Sequence, residues 1–326
     1  MARVSVTVGA RVHAGFCNLS LERERLYGGI GLGLERPVLE VSAEPADAFV
    51  VDHEGAEHAA RRTTEHLDLE GGVRVEMGRT LPSHVGLGSG TRVALAVAEA
   101  TALAHGACPN LRELAPVLGR GGRSGVGVAT YLEGGFVVDA GHPATAFTET
   151  PPGTGEWSVP PVVSRLELPD SWRVVLVVPD GHPGRSGATE EASIRTVVGD
   201  ADPTIATEVA STVVEKLLPA AAAGDLSTFG AAVTAIGRAN GEWYADLQGG
   251  RYRPSAAAIV DSLTGEPAVA GVGQSSWGPT VYALTNEEGV ESVVSCGEEA
   301  LASAGLEGTV LPARVDTSGR SVHDPA

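Results

Sequence analysis

A chain of 326 residues can bury one large core or two of ordinary size, and a break in composition near its middle favours two. The formal charge of -18, from 41 acidic against 23 basic residues, excludes nucleic acid and anionic membrane surfaces as partners, so any anion pocket must be locally basic against a repulsive global field. Three scattered cysteines, Cys17, Cys108 and Cys296, exclude a disulfide framework and a cysteine zinc site, and no run reaches the roughly 18 apolar residues of a membrane span.

The N-terminal MARVSVTVGA lacks the apolar core of a signal peptide, which points to the cytoplasm. Val4, Val6 and Val8 alternate with polar residues, as in a half-buried strand, and lead into RVHAGF at 11–16. Arg11 and His13 are two apart and would share one side of an extended segment, where both could face an anion; a surface arginine and a satisfied buried histidine is the alternative. Residues 27–37, YGGIGLGLERP, read as a β turn or strand and not as a dinucleotide loop, because Val38, Leu39 and Val41 follow where a helix would have to start. Residues 53–66 read as a polar excursion before a strand over 73–77.

Residues 81–99, LPSHVGLGSGTRVALAVAE, join a glycine-rich turn to an apolar helix over 91–104. Gly86, Gly88 and Gly90 clear side chains from a backbone that must approach a ligand, and the free amides of the helix's first turn favour an anion. Each charge-assisted hydrogen bond contributes roughly 1.5–3 kcal/mol, so a few of them hold a polyphosphate without a lysine. The Gly-Lys-Ser/Thr ending of a Walker loop is missing. Gly106 suits a C-cap and Asn110 an N-cap for a helix over 111–118.

Residues 119–142 carry Arg120 and Arg123 in a glycine-rich loop, a short helix over 126–132, and a strand over 136–138 that ends in Asp139 and His142. The arginines are of the type that grips phosphate or carboxylate bidentately; a solvated loop and a turn-forming aspartate are the plainer alternatives. TPPGTGEWSVPP, 150–161, reads as the link between an N-terminal domain, 1–160, and a C-terminal one, 161–326. Beyond it come a buried strand over 172–178, a loop over 179–191 carrying Arg185, and helices over 190–198, 204–218, 225–239 and 255–263. Glycine-rich loops at 248–251 and 271–279 follow, the second offering donors from Gln274, Ser275 and Ser276. A strand over 280–284, a helix over 290–304 and a strand over 309–315 complete an α+β half.

The loop GLGSGTR at 86–92, RSGVGVATYLEGG at 123–135, VDAGH at 138–142 and GVGQSSWGPTVY at 271–282 together resemble the β-ribofuranosylaminobenzene 5′-phosphate synthase family of the GHMP kinase superfamily. Arg11-Val-His13 and GGIGLGLERP at 28–37 are similar too. The resemblance implies an α+β two-domain fold, with an N-terminal mixed α/β domain bearing the phosphate loop and a ferredoxin-like C-terminal domain. It also implies condensation of 5-phosphoribosyl 1-pyrophosphate with para-aminobenzoate, releasing carbon dioxide and pyrophosphate with Mg²⁺ as cofactor, on the way to a methanopterin-type pterin. Gly86, Gly88, Ser89, Gly90 and Thr91 are then expected at one phosphate, with the Ser89 and Thr91 hydroxyls near Mg²⁺. Arg11, His13, Arg120 and Arg123 are expected at the other anions, and Asp139 as a fixed charge near the reacting carbon.

Two alternatives remain open. One is a GHMP small-molecule kinase, the other a catalytically silent binding protein of that fold. The kinase frame S-G-I-D-x-A reads Ser124-Gly-Val-Gly127-Val-Ala129 here, with glycine where the catalytic aspartate belongs, and Lys216 is the sole lysine. That lysine-poor, acid-rich composition suits a halophilic source. A homodimer is expected from symmetry statistics alone.

Overall fold

The computed structural model describes residues 3–148, 150–181, 184 and 187–323; Arg185 lies outside them. The valine alternation at the N-terminus continues into one long strand, β1 (Val4–Asn18), and the glycine-rich 27–37 stretch falls inside another, β2 (Arg25–Ala46). Their antiparallel pairing carries two register shifts, at Gly9/Arg11 and His13/Gly15. Bulges of this kind bend a strand and re-aim side chains, and here they flank Arg11 and His13.

The first sheet runs β12-β1-β2-β4-β3, where β3 is Val50–Val51, β4 is Gly72–Arg79 and β12 is Ser321–His323. Three short strands extend it from β2: β5 (Phe136–Asp139) and β6 (His142–Pro143) pair with β2, and β7 (Val162–Leu166) pairs with β5. Both sides of residue 160 thus contribute to this sheet. The polar 53–66 stretch is not an excursion but helix α1 (Glu54–His66), capped by the His53 side chain and buried through Ala56, Ala59, Ala60, Thr63 and Thr64. Its inner face is built from alanine and threonine, which carry little hydropathy.

Helix α2 (Ser89–Ala104) is buried nearly all round, as its apolar sequence requires, and ends at Gly106 with φ +77. Asn110 accepts from the amides of Arg112 and Glu113 and starts α3 (Leu111–Val117). The short helix α4 (Val126–Leu132) leads to β5.

The second sheet has the order β11-β8-β10-β9, all antiparallel, from β8 (Trp172–Pro179), β9 (Gly271–Gln274), β10 (Val281–Asn286) and β11 (Gly308–Ala313). Numbered within this half that order is 4-1-3-2, the ferredoxin-like arrangement. Between β8 and β9 lie α5 (Gly187–Asp200), α6 (Pro203–Thr212), a single π turn over Val213–Leu217, α7 (Leu218–Ala223), α8 (Leu226–Gln248) and α9 (Pro254–Thr264); α10 (Val290–Ser303) joins β10 to β11. Asp202 and Asp225 cap α6 and α8. Among the described residues no helix is long and apolar enough to cross a membrane.

Candidate active site

A cleft of about 1680 Å³ lies where the two halves meet, and the phosphate loop forms part of its wall. Gly88, at φ +78, caps α2 without a side chain. The amides of Thr91 and Arg92 close onto the Gly88 carbonyl at 3.1 Å. Those of Ser89 and Gly90 precede the first helical bond and are left to a ligand.

The loop's glycines admit protein neighbours as well as a ligand. A Cβ on Gly86 would stand 2.3 Å from the Ser275 carbonyl oxygen, one on Gly88 2.8 Å from Arg11 Cγ, and one on Gly90 3.1 Å from Arg120 Nη1. Two arginines from distant parts of the chain are thereby brought onto the loop. Arg11 donates from Nη1 to the Gly86 carbonyl at 2.8 Å. Burial pulls its guanidinium down to about 10, and the buried Nε of both Arg11 and Arg120 have no partner among the described residues. Donors kept dry and unmatched are what an anionic ligand would satisfy.

The GQSS turn acts mainly as a strut. Ser275 accepts from the His13 amide at 3.1 Å and donates to the Gly86 carbonyl at 2.7 Å, while Ser276, at φ +53, donates its amide to the His13 carbonyl. Gln274 accepts from the Arg253 amide and donates to the Ser276 carbonyl. Gln274 and Ser276 line the cleft; Ser275 does not.

Asp139 stands behind the cleft, not in it. Its Oδ2 accepts from Ser124 Oγ at 3.0 Å and from the Gly125 amide at 2.7 Å, and its Oδ1 accepts from the Gly141 amide at 2.8 Å. Burial raises this carboxyl above its ordinary value, and those hydrogen bonds only partly oppose the rise. Ser124 Oγ in turn lies 3.3 Å from His13 Nε2, so the carboxylate reaches the cleft through a hydroxyl and an imidazole. Burial, reinforced by Arg11 and Arg123, lowers His13 to about 3; the ring is neutral at any working pH. His142 lines the cleft as well, lowered by burial, with a buried Nε2 that has no partner among the described residues.

Several residues at or behind the site were not singled out by the sequence. Arg92, in the first turn of α2, lies behind the loop and not in the cleft; it is only 1 % exposed, and donates to the carbonyls of Gly9, Ala10 and Gly127 and to Thr130 Oγ1. It has no acidic partner within this set, and burial brings it to about 9. Glu190 and Glu191 at the start of α5 face Arg123, at 3.1 and 3.4 Å. The 150–161 stretch folds back over the cleft: Trp157 Nε1 donates to the Arg120 carbonyl, and Arg112 holds the carbonyls of Val159 and Pro160. Only Trp157, a large apolar residue in a proline- and glycine-rich run, could have signalled that.

With this geometry in place the likeness to known proteins is specific. The model of the GHMP kinases N terminal domain matches residues 54–135, and that of the GHMP kinases C terminal matches residues 217–302. The beta-ribofuranosylphenol 5'-phosphate synthase of Methanothermobacter thermautotrophicus is 33% identical over 301 residues, 87% of this chain and 89% of that protein. The protein of the same name from Archaeoglobus fulgidus is 34% identical over 299 residues, 86% and 88% of the two chains. Among solved structures, homoserine kinase from Cytophaga hutchinsonii superposes with a TM-score of 0.65 at 18% identity, covering 98% of this chain and 97% of that one. Mevalonate pyrophosphate decarboxylase from Streptococcus pyogenes does so with a TM-score of 0.68 at 11% identity, covering 97% of each; at such identities the two share a fold only. The chain therefore belongs to the beta-ribofuranosylphenol 5'-phosphate synthase family and is, on the GHMP kinase fold, a synthase of glycosyl-transfer type.

Proposed function

We propose that the enzyme condenses 5-phosphoribosyl 1-pyrophosphate with a para-substituted benzoate, forming a carbon-linked riboside 5-phosphate and releasing carbon dioxide and pyrophosphate. The observation that carries this reading is the convergence of Arg11 and Arg120 on a lysine-free glycine loop, in a cleft with room for two substrates. The bond from ribose C1 to pyrophosphate breaks with its electron pair on oxygen, and C1 gains oxocarbenium character. The ring carbon bearing the carboxylate, made electron-rich by the para donor, attacks C1. The carbon–carboxylate bond then returns its electrons to the ring as carbon dioxide leaves, so no proton need be abstracted first.

The residues suit those tasks. Amides of Ser89 and Gly90 with Arg11 and Arg120 hold phosphate charge, and neutral His13, oriented by Ser124 and Asp139, presents a dipole without adding charge repulsive to a developing cation. Asp139 on this reading is a positioning residue. Mg²⁺ fits the donor set: the Ser89 and Thr91 hydroxyls and the carboxylates of Glu190 and Glu191 are hard oxygens in one cleft. No group of three or more His, Cys, Asp or Glu gathers among the described residues, so the ion would keep water and substrate oxygens as further ligands. Bound there it would offset pyrophosphate charge.

The kinase alternative lacks its base. A Cβ on Gly127 would meet Thr91 Cγ2 at 3.3 Å, which is where a carboxylate would face the phosphate loop, and glycine supplies none. The acceptor has two candidates, para-aminobenzoate and, because the relatives are named for a phenol riboside, para-hydroxybenzoate. Carboxyl-labelled samples of each, incubated with phosphoribosyl pyrophosphate and Mg²⁺, decide. Labelled carbon dioxide from either supports the reading and names the acceptor; release from neither, with ATP consumed on a small alcohol, replaces it with the kinase.

A further inference from the structure

The chain is poor in aromatic residues: five phenylalanines, five tyrosines and four tryptophans, 14 in 326. Seven of these line the one cleft that contains the phosphate loop. Phosphates are held by amides, hydroxyls and arginines and have no use for rings. The concentration of rings calls for a second, planar ligand.

The rings form two walls. On one, His13, Phe16, Tyr27 and His142 touch in series, with centroids 4.8, 5.7 and 6.3 Å apart. The other is Tyr244 against Trp277, 4.6 Å apart. Asn240 of α8 fixes how the walls face: its side chain accepts from the Phe16 amide at 2.7 Å and donates to the Phe16 carbonyl at 3.0 Å. Tyr244 is one turn further along the same helix face, so the helix that clamps Phe16 also brings Tyr244 to the cleft that Tyr27 lines. Tyr27, Tyr244 and Arg123 all line that cleft.

Tyr27 is also held at φ +72, a left-handed conformation that a bulky side chain avoids. Such residues persist where the surroundings over-determine them, and they cluster at ligand clamps. Glycines follow at 28 and 29, and a Cβ on Gly29 would stand 2.0 Å from Ser124 Oγ, so the backbone there is pressed against the His13–Ser124–Asp139 chain. The same close approach presents the Tyr27 ring.

We propose that Tyr27 and Tyr244 are the two sides of a slot for planar aromatic carboxylates, with Arg123 at its carboxylate end. This rests on the reaction proposed above and adds which residues select the acceptor. Arg123 already faces two carboxylates, those of Glu190 and Glu191, and the acceptor's carboxylate takes the place of one. The slot reads flatness and π surface, so amino- and hydroxybenzoates enter alike, and a saturated ring acid binds more weakly.

Calorimetric titration of the whole protein with benzoate and with cyclohexanecarboxylate tests this without requiring turnover. The wild type is expected to bind benzoate about two- to twelvefold more tightly, the range that one aromatic pair contributes. Tyr244→Leu, of similar bulk but without a ring, is expected to erase that preference while leaving the affinity for inorganic pyrophosphate unchanged. In turnover the same variant raises the acceptor KM and not that of phosphoribosyl pyrophosphate. Equal affinities in the wild type, binding of neither acid, or a preference that survives in both Tyr244→Leu and Tyr27→Leu overturns the slot. Ring selectivity without carbon dioxide release keeps the slot and removes the reaction; release without ring selectivity does the reverse.

Discussion

Gly88 combines two constraints at one atom: φ +78, and Arg11 Cγ 2.8 Å from where a Cβ would be. Gly88→Val is therefore expected to displace Arg11 and to weaken phosphoribosyl pyrophosphate binding at least about 100-fold, the scale of losing two charge-assisted hydrogen bonds. Circular dichroism should show a folded chain, and near-native affinity would remove the loop from the site. His13 makes a second prediction, through pH. Its folded value near 3 lies below the unfolded value near 6.5, so the unfolded chain binds the extra proton first, and stability falls as pH drops from about 6.5 toward 3. His13→Gln should flatten that part of the acid-stability curve; an unchanged curve would mean that the imidazole is hydrated.

Residue positions at the cleft were legible in the sequence only where chemistry and spacing coincide. That Arg11, His13, Arg120 and the loop glycines share one cleft was readable, because a glycine loop before an apolar helix invites an anion and the arginines are the residues to meet it. The actual place of Asp139 was not, because whether a strand-end carboxylate faces a cleft or its own backbone depends on Gly125, Gly141 and Ser124 folding around it. Arg92 was hidden for a related reason: an arginine in an apolar helix looks like a surface residue until three carbonyls and a threonine are seen to surround it.

Among the elements, α5 brings acidic side chains to the cleft. Glu190 and Glu191 near its start engage Arg123, so on the proposed reading an anion that reaches Arg123 displaces them or shares the cation with them. Glu190→Gln is expected to tighten phosphoribosyl pyrophosphate binding several-fold without Mg²⁺ and to reduce the gain that Mg²⁺ brings; titrations with and without the metal read both. An unchanged metal dependence would free Glu190 from any part in it. Strands and helices with strong apolar pattern, such as β8 and α2, were legible. Helix α1 was not, because alanines and threonines make its buried face and its polar face dominates the composition. Helix α8 runs on to Gln248, past the expected end at 239, because Asn240 and Trp243 are buried against β1 and α6 contacts that sequence alone does not display.

For the molecule as a whole, charge sets the solution behaviour. A formal charge of -18 with one lysine among 23 basic residues leaves a surface whose self-repulsion salt screens, the Debye length falling from about 10 Å at 0.1 M to about 3 Å at 1 M. Thermal unfolding is expected to shift upward by several degrees between those concentrations of KCl, and a shift downward would contradict a halophilic design. A homodimer remains a proposal that light scattering can weigh. The two halves meet through backbone: Thr280 donates to the Val85 carbonyl and Asp316 to the Gly33 carbonyl. The site is therefore assembled by the whole fold and not by either half.

The central claim is a new bond between ribose C1 and an aromatic ring carbon. The enzyme, Mg²⁺, phosphoribosyl pyrophosphate labelled with carbon-13 at C1, and para-aminobenzoate or para-hydroxybenzoate labelled at the carboxylate-bearing ring carbon can be followed together by carbon NMR. Growth of a one-bond carbon–carbon coupling between the two labels, as the carboxylate is lost, is the result expected. Consumption of both substrates with the labels uncoupled, as in a nitrogen- or oxygen-linked riboside that keeps its carboxylate, would contradict it.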